Sequence, residues 1–444
     1  MSAMADLAIN GGSKAVTKDP GEIFVHPIID RRDEEALVEM LHSRQMSSIE
    51  PSLALEEQYA KWQGSDFALA HNTGTAALYG ALWGVGVGEG DEVICPTVTY
   101  WASAMPVLSL RGSVVFADIE EDTLCIDPED VRRKITDRTK AIVAVHLSGH
   151  PADMDPLMEI SEETGVPVIE DVSHSHGALY KGRLLGSIGQ VSAMSLMTGK
   201  ALPTSEGGML CTNDREIYER AIVFGHYGRI SKYCEIQEYA DMAGLAVGGH
   251  KFRMNGFSAV MAQVQLDRYQ GVLDDKKRSS ELWWSLLEDV PGIVPHIPKW
   301  ENSTLGGWYA PRGIYDPDEA PENLPLKAFA RAVRAEGSVC HAGGYKLLHR
   351  HPAFNDLAIY GEDMPTCIRY AERDVRMSDD DLPIAAKMFS RVYMVPRFSY
   401  FDAEYITQCA EAYRKVMEHA DEVPIEEDDY TEKGLGAAGM RTVE

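Results

Sequence analysis

The 444-residue sequence predicts an α/β protein with a mainly parallel sheet, helices on both faces, and a smaller C-terminal α/β domain. Three observations predict it. From about residue 66 to residue 225, short apolar runs alternate with Ala- and Leu-rich or acid-capped stretches, the rhythm of successive βα units. Ala141–Leu147 (AIVAVHL) is an unbroken apolar run, as expected of a strand covered on both faces. After about residue 275 the texture changes, and residues 289–325 collect many prolines and glycines.

The elements follow in order. Thr75–Val85 (TAALYGALWGV) reads as a helix, and Glu92–Cys95 (EVIC) as a short strand ended by Pro96. Trp101–Leu110 reads as a helix and Val114–Asp118 (VVFAD) as a strand. Asp127-Pro128-Glu129-Asp130 opens a further helix, with acids at its positive end and Pro in the first turn. Pro156–Thr164 is a helix; Val166–Glu170 and Val191–Leu196 are strands. Lys327–Glu336 and Ala403–His419 read as helices of the second domain. The chain is thus expected to divide into an N-terminal arm (1–25), a large domain (26–288), a small domain (289–421) and a loosely held tail (422–444), acidic and then glycine-rich.

Composition narrows the function. Lys+Arg 42 against Asp+Glu 69 gives a net charge of −27, which repels phosphate backbones and anionic lipid. Neither nucleic acid nor membrane is expected as a partner. The longest uncharged stretch, Phe67 to Gly88, is interrupted by His71, Asn72, Thr73 and several glycines, so no span is expected. The opening residues lack a basic segment followed by an apolar block, so no secretory signal is expected. Seven dispersed cysteines without a CxxC pair read as reduced thiols, and the expected location is the cytoplasm.

In an open α/β sheet, ligands sit beyond the carboxyl ends of the strands, and four positions there could carry chemistry. Asp171 follows Val166–Glu170; alone it reads equally as a loop carboxylate or an N-cap. Lys200, in SLMTGK, lies between an apolar strand and a small-residue stretch, where desolvation could lower the pKa of its amine. Asn72-Thr73-Gly74-Thr75 opens a helix and offers N–H groups to a phosphate, or is a plain cap. Tyr100 could lie over a flat ligand or pack in the core. Gly84–Gly90 (GVGVGEG) precedes a strand and is a turn rather than a dinucleotide fingerprint. His174 and His176 are spaced for a metal, but no neighbouring Cys or carboxylate set completes a site, and no metal is expected.

Several segments in one order carry a resemblance. LAINGGSKAV (7–16), NTGTAAL (72–78), GEGDEVICPTVTY (88–100), VHLSGHPADMD (145–155), VIEDVSHSHGALYKGR (168–183) and TGKALPTSEGGML (198–210) resemble the DegT/DnrJ/EryC1/StrS family. These are pyridoxal-phosphate (PLP)-dependent sugar aminotransferases of fold type I, the aspartate-aminotransferase architecture. The resemblance is strongest over roughly residues 7 to 275. It implies that Lys200 forms the Schiff base with the cofactor aldehyde and then moves protons. It implies that Asp171 pairs with the pyridine nitrogen and keeps it protonated. Gly74, Thr75 and Ser195 would hold the phosphate, Tyr100 would stack on the ring, and His174, at a position more often Gln, would reach the 3-hydroxyl. Sites of this fold are shared across a homodimer.

A further departure from the family pattern follows the long insert. Where members often have G-x-N-x-R, this chain reads Gly249-His250-Lys251-Phe252-Arg253, so Lys251 stands where an Asn would reach the neighbouring subunit's phosphate. Family dehydratases carry His at the Lys200 position, so retention of Lys favours amino transfer.

The implied reaction moves an amino group from glutamate or glutamine to a ketone. LAINGGSKAV, the long insert near 229–249 and GYKLLHRHPAFND (344–356) look most like members acting on keto-cyclitols such as scyllo-inosose, or on a free keto sugar. The alternatives are a nucleotide-linked keto sugar, a PLP-dependent dehydratase, and a non-catalytic regulatory homologue.

Overall fold

The computed structural model describes residues 6–430 except residue 362. Its centre is a seven-stranded sheet with β1 (Phe67–His71), β2 (Glu92–Pro96), β3 (Ser113–Ala117), β4 (Thr139–Val145), β5 (Val168–Asp171), β8 (Val191–Ser195) and β9 (Gly208–Thr212) in the order β1-β9-β8-β5-β4-β2-β3. A short hairpin of β6 (Leu179–Tyr180) and β7 (Arg183–Leu184) lies outside it. Strands β3, β2, β4, β5 and β8 run parallel, while β9 pairs antiparallel with both β8 and β1. Asp171 is in register with Val145 on one side and Ala193 on the other, at the carboxyl edge of the sheet's middle.

The sequence places β2, β3, β4, β5 and β8 to within a few residues; β1 and β9, which pair antiparallel with each other, were not expected from it. The helix expected at Trp101–Leu110 is instead a 3₁₀ turn (Trp101–Ser103) followed by a short helix (Met105–Ser109). Pro106 in the first turn starts that second piece, since proline lacks the N–H needed to continue a preceding turn. All seven cysteines are free and buried.

A second, four-stranded antiparallel sheet contains β10 (Ile293–Val294), β11 (Arg312–Tyr315), β12 (His341–Ala342) and β13 (Val392–Met394), in the order β10-β11-β13-β12. The helices Leu326–Ala335 and Ala403–Glu418 pack against it around Phe329, Tyr393 and Tyr413. The 30-residue helix Gly256–Ser285 joins the two units: Ala259 and Leu266 belong to the large core, Trp283 and Trp284 to the small one. At 1.5 Å per residue this rod is about 45 Å long, enough to traverse both units.

Core membership cuts across chain order. Leu7 and Ile23, in the expected arm, are buried in the second core. Leu347, Phe354, Val375 and Met388, in the stretch expected as one small domain, are buried in the first. The start of the expected tail is held: Glu422 accepts from Leu7 N, Val423 is buried, and Asp429 pairs with Arg331 at 2.8 Å. An apolar side chain and paired carboxylates hold what acidity alone suggests is loose. Residues 431–444 of that tail lie outside the described residues. No described helix is long and apolar enough to cross a membrane.

Candidate active site

Beyond the carboxyl edge of the large sheet lies a cavity of about 590 Å³, lined by residues from seven separate segments. The first segment is the start of the helix Gly74–Gly84. Thr73 caps it, its hydroxyl accepting from Ala76 N at 3.0 Å, and the first intrahelical bond is Ala77 N to Thr73 O. The Gly74 and Thr75 N–H groups therefore precede the ladder, and both residues line the cavity. Gly74 is required by contact: a Cβ there would lie 2.5 Å from Ser195 Cβ and 2.7 Å from Ser195 Cα. Only glycine lets the positive end of the helix abut the end of β8, forming a cup suited to an anion.

Strand β5 supplies two carboxylates on opposite faces, as period-two alternation dictates. Glu170 points away from the cavity and accepts from His146 Nε2 at 3.0 Å and from the N–H groups of Gly186, Ile188 and Gly189 at 2.7–2.8 Å. Burial works against that charge, yet these bonds hold the Glu170 carboxyl below its ordinary pKa. Asp171 faces the cavity and is almost fully buried. Its Oδ2 accepts from Ser103 Oγ at 2.8 Å and its Oδ1 from Ser173 N at 3.1 Å; Thr99 Oγ1 lies 2.9 Å from Ser103 Oγ. A chain of hydroxyls thus fixes the carboxylate.

Lys200 sits in the turn after β8, its N–H donating to Met197 O at 2.7 Å. It is 7% exposed, and its Nζ lies 3.5 Å from the centroid of the Tyr309 ring. Burial pushes the amine down to about 7; Asp171 opposes the shift and Arg397 reinforces it. A substantial neutral fraction at pH 7 makes the amine a competent nucleophile.

His174 accepts from Ser148 N at Nδ1 (3.3 Å), and its Nε2 lies 3.2 Å from the Tyr345 hydroxyl, with the two rings stacked. An accepting Nδ1 places the proton on Nε2. Burial, with Lys200, Arg312 and His176 nearby, drives the His174 pKa well below its ordinary value. The residue is a neutral donor here, not the titrating group that its position in the sequence allows.

Of the residues named from the sequence, Gly74, Thr75, Tyr100, Asp171, His174, Ser195 and Lys200 all line this one cavity. Lys251 does not; it is exposed, and its carbonyl accepts from Asn72 Nδ2 at 3.5 Å. Sequence reasoning missed Ser103, Tyr309, Arg312 and Tyr345. The segment 344–356, named from the sequence only for its substrate-class resemblance, forms a wall of the cavity, tied to the end of β2 by Leu348 N to Thr97 O (3.0 Å) and by Thr97 Oγ1 with His349 Nδ1 (2.7 Å). Ser103 stands only a few residues after Tyr100 and could have been found as a hydroxyl one helical turn beyond Thr99. Tyr309, Arg312 and Tyr345 reach the cavity from more than a hundred residues further along the chain.

A sequence model of the DegT/DnrJ/EryC1/StrS aminotransferase family matches residues 27–391. The chain belongs to this family. It is similar to the spore coat polysaccharide biosynthesis protein SpsC of Bacillus subtilis, 30% identical over 378 residues, covering 80% of this chain and 93% of the relative. It is also similar to GDP-perosamine synthase of Escherichia coli O157:H7, 32% identical over 258 residues, covering 58% of this chain and 69% of that one. Among solved structures, 3-amino-5-hydroxybenzoic acid synthase superposes with a TM-score of 0.76 at 26% identity, covering 91% of this chain and 99% of that one. Members of the family are PLP-dependent aminotransferases of fold type I, and this chain is a PLP-dependent enzyme of that sugar-aminotransferase family.

The side chains present fit that cofactor. The cup formed by Gly74, Thr75 and Ser195 suits a phosphate, the buried Asp171 carboxylate suits a protonated ring nitrogen, and the desolvated Lys200 amine suits an aldehyde.

Proposed function

We propose that the enzyme transfers an amino group from glutamate or glutamine to the ketone of a free keto-cyclitol, scyllo-inosose-like, or a free keto sugar. The observation that carries the reading is the convergence of Lys200, Asp171 and the helix start at Gly74 on one cavity from separate segments. Bound PLP supplies a carbonyl that captures amines and a ring that accepts electrons from a breaking C–H bond. In the proposal, Lys200 holds the cofactor and carries the proton to and from the reacting carbon. Asp171, braced by Ser103 and Ser173, keeps the ring nitrogen charged. Gly74, Thr75 and Ser195 bind the phosphate, Tyr100 covers the ring, and neutral His174 donates toward the 3-hydroxyl side.

Support for an uncharged, polyhydroxylated ring comes from the outer part of the cavity. Tyr100, Trp101 and Tyr345 offer aromatic faces, and Glu206, Lys346 and His351 offer polar groups suited to hydroxyls. One relative is named for its product, 3-amino-5-hydroxybenzoic acid, an amino-bearing six-membered carbocycle. A second reading, a nucleotide-linked keto sugar, is favoured by the 32% identity to GDP-perosamine synthase.

Incubating the holoenzyme with glutamate or glutamine and each ketone class, then measuring amine product and 2-oxo acid by mass spectrometry, separates the readings. Equal amounts of both from scyllo-inosose are expected. Turnover only with nucleotide-linked ketones moves the assignment to the second reading, and product without donor consumption indicates a dehydratase. Completion of each site by a second copy is part of the proposal: Lys251 would reach the phosphate in the partner's cavity. Lys251→Ala is then expected to loosen PLP without changing the spectrum of the cofactor that remains bound.

A further inference from the structure

A second lysine is buried where the aminotransferase reaction has no use for it. Lys276 lies on the helix Gly256–Ser285 where that helix passes from the large core to the small one, and it is 1% exposed. Its Nζ has no hydrogen-bond partner. It lines a small chamber of about 20 Å³ at the junction of the two units, adjoining the reaction cavity, with which it shares Arg312. That volume exceeds the roughly 10–15 Å³ needed for one water-sized particle and admits little more.

What lines the chamber is unbalanced. Besides Lys276 Nζ, the Nε1–H groups of Trp283 and Trp308, the Nε–H of Arg397 and the Ser148 hydroxyl are all buried without a partner. Arg312 lines it as well, and none of the lining residues is Asp or Glu. Four of the five orphaned groups are nitrogens bearing hydrogens. A buried donor left unsatisfied costs about 1–3 kcal/mol, so five together are expensive unless something accepts from them. Water both donates and accepts, and suits such a donor-rich wall poorly. The backbone supports the same reading: Trp308 has φ +46°, a conformation that L-residues adopt at a cost. That strained backbone carries one of the indole N–H groups that remain without a partner.

We propose that this chamber binds a single monatomic anion of halide size, coordinated by Lys276, the two indole N–H groups and Arg397. The inference does not depend on which ketone the enzyme aminates. It explains how a chain of net charge −27 keeps a cluster of cations in its interior, because the anion supplies the counter-charge that carboxylates do not. Burial and the neighbouring Arg397 press Lys276 toward its neutral form, and a bound anion would restore its charge. Arg397 also lies 6.0 Å from the Tyr309 ring, whose face meets Lys200, so the anion would temper the positive field behind the reaction cavity.

The test uses bromide as the probe. Holoenzyme crystals soaked in sodium bromide should show an anomalous peak inside the chamber. In solution, the holoenzyme's melting temperature should be about 1–2 °C higher in sodium bromide or chloride than in sodium gluconate at equal ionic strength. Lys276→Met should remove both the peak and the halide dependence. Should that variant fail to fold, Trp283→Phe, which deletes one N–H and keeps an aromatic ring against Phe398 and Tyr413, should still weaken the halide dependence. An empty or water-filled chamber in bromide overturns the proposal. A peak without any halide-specific shift in stability marks an adventitious ion and overturns it as well.

Discussion

Lys200 and Lys276 are both buried lysines with depressed proton affinity, yet their surroundings give them opposite uses. Lys200 opens on a cavity of about 590 Å³, has Asp171 to temper its desolvation, and sits over an aromatic face. Lys276 faces a chamber of about 20 Å³ with Arg397 as its charged neighbour and no acceptor in reach. Burial alone lowers an amine's pKa. Whether the amine becomes a nucleophile or an anion ligand depends on the room in front of it and the sign of the charge beside it.

The largest effect that could break this contrast is at the reacting amine. Lys200→Ala should lower transfer by about 10²–10⁴-fold or more, measured as 2-oxo acid released per enzyme. Retained turnover would place the chemistry elsewhere. Asp171→Asn removes the charge facing the ring and should cost about 10²–10³-fold in kcat with little change in folding. The pH dependence sharpens the comparison further. Capture of added PLP by the cofactor-free chain needs neutral Lys200, and burial sets its pKa near 7. The capture rate should therefore fall about tenfold per pH unit below 7 and level off above it, as followed by visible absorbance. A plateau only near pH 10 would show that Lys200 is not desolvated.

Ser103→Ala leaves Asp171 in place but removes the hydroxyl that braces it, and about a tenfold loss in kcat is expected. Ser103→Thr should restore most of it. Smallest of all, Lys276→Met should leave transfer within about twofold of the parent while losing the halide response.

Legibility in the sequence followed distance along the chain. Lys200, Asp171, Gly74 and Thr75 each lie next to the strand or helix that positions them, so a local pattern points to them. The strand rhythm from β2 to β8 was legible for the same reason: unbroken apolar runs declare strands covered on both faces. Tyr309 and Tyr345 carry no such mark, since they reach the site from loops more than a hundred residues beyond Lys200, whose neighbours Trp308 and Leu347 pack in the first core. Lys251 shows the converse. A motif position predicts a ligand for a neighbouring subunit's phosphate, and the fold sets it on an exposed stretch beside Asn72, outside the cavity of its own chain. The start of the tail is held for a related reason: acidity reads as solvation until Arg331 is brought beside Asp429.

By itself the sequence determined the α/β class and marked Lys200, Asp171 and the helix start at Gly74 as positions beyond strand ends, because periodicity acts over a few residues; their expected roles came from the resemblance of several ordered segments to one family. Tertiary structure alone decided which lysine has space in front of it, that His174 is held neutral, and that cations gather at the junction of the two units. Those properties depend on solvent exclusion and on charges brought together across hundreds of residues, and no local pattern encodes either.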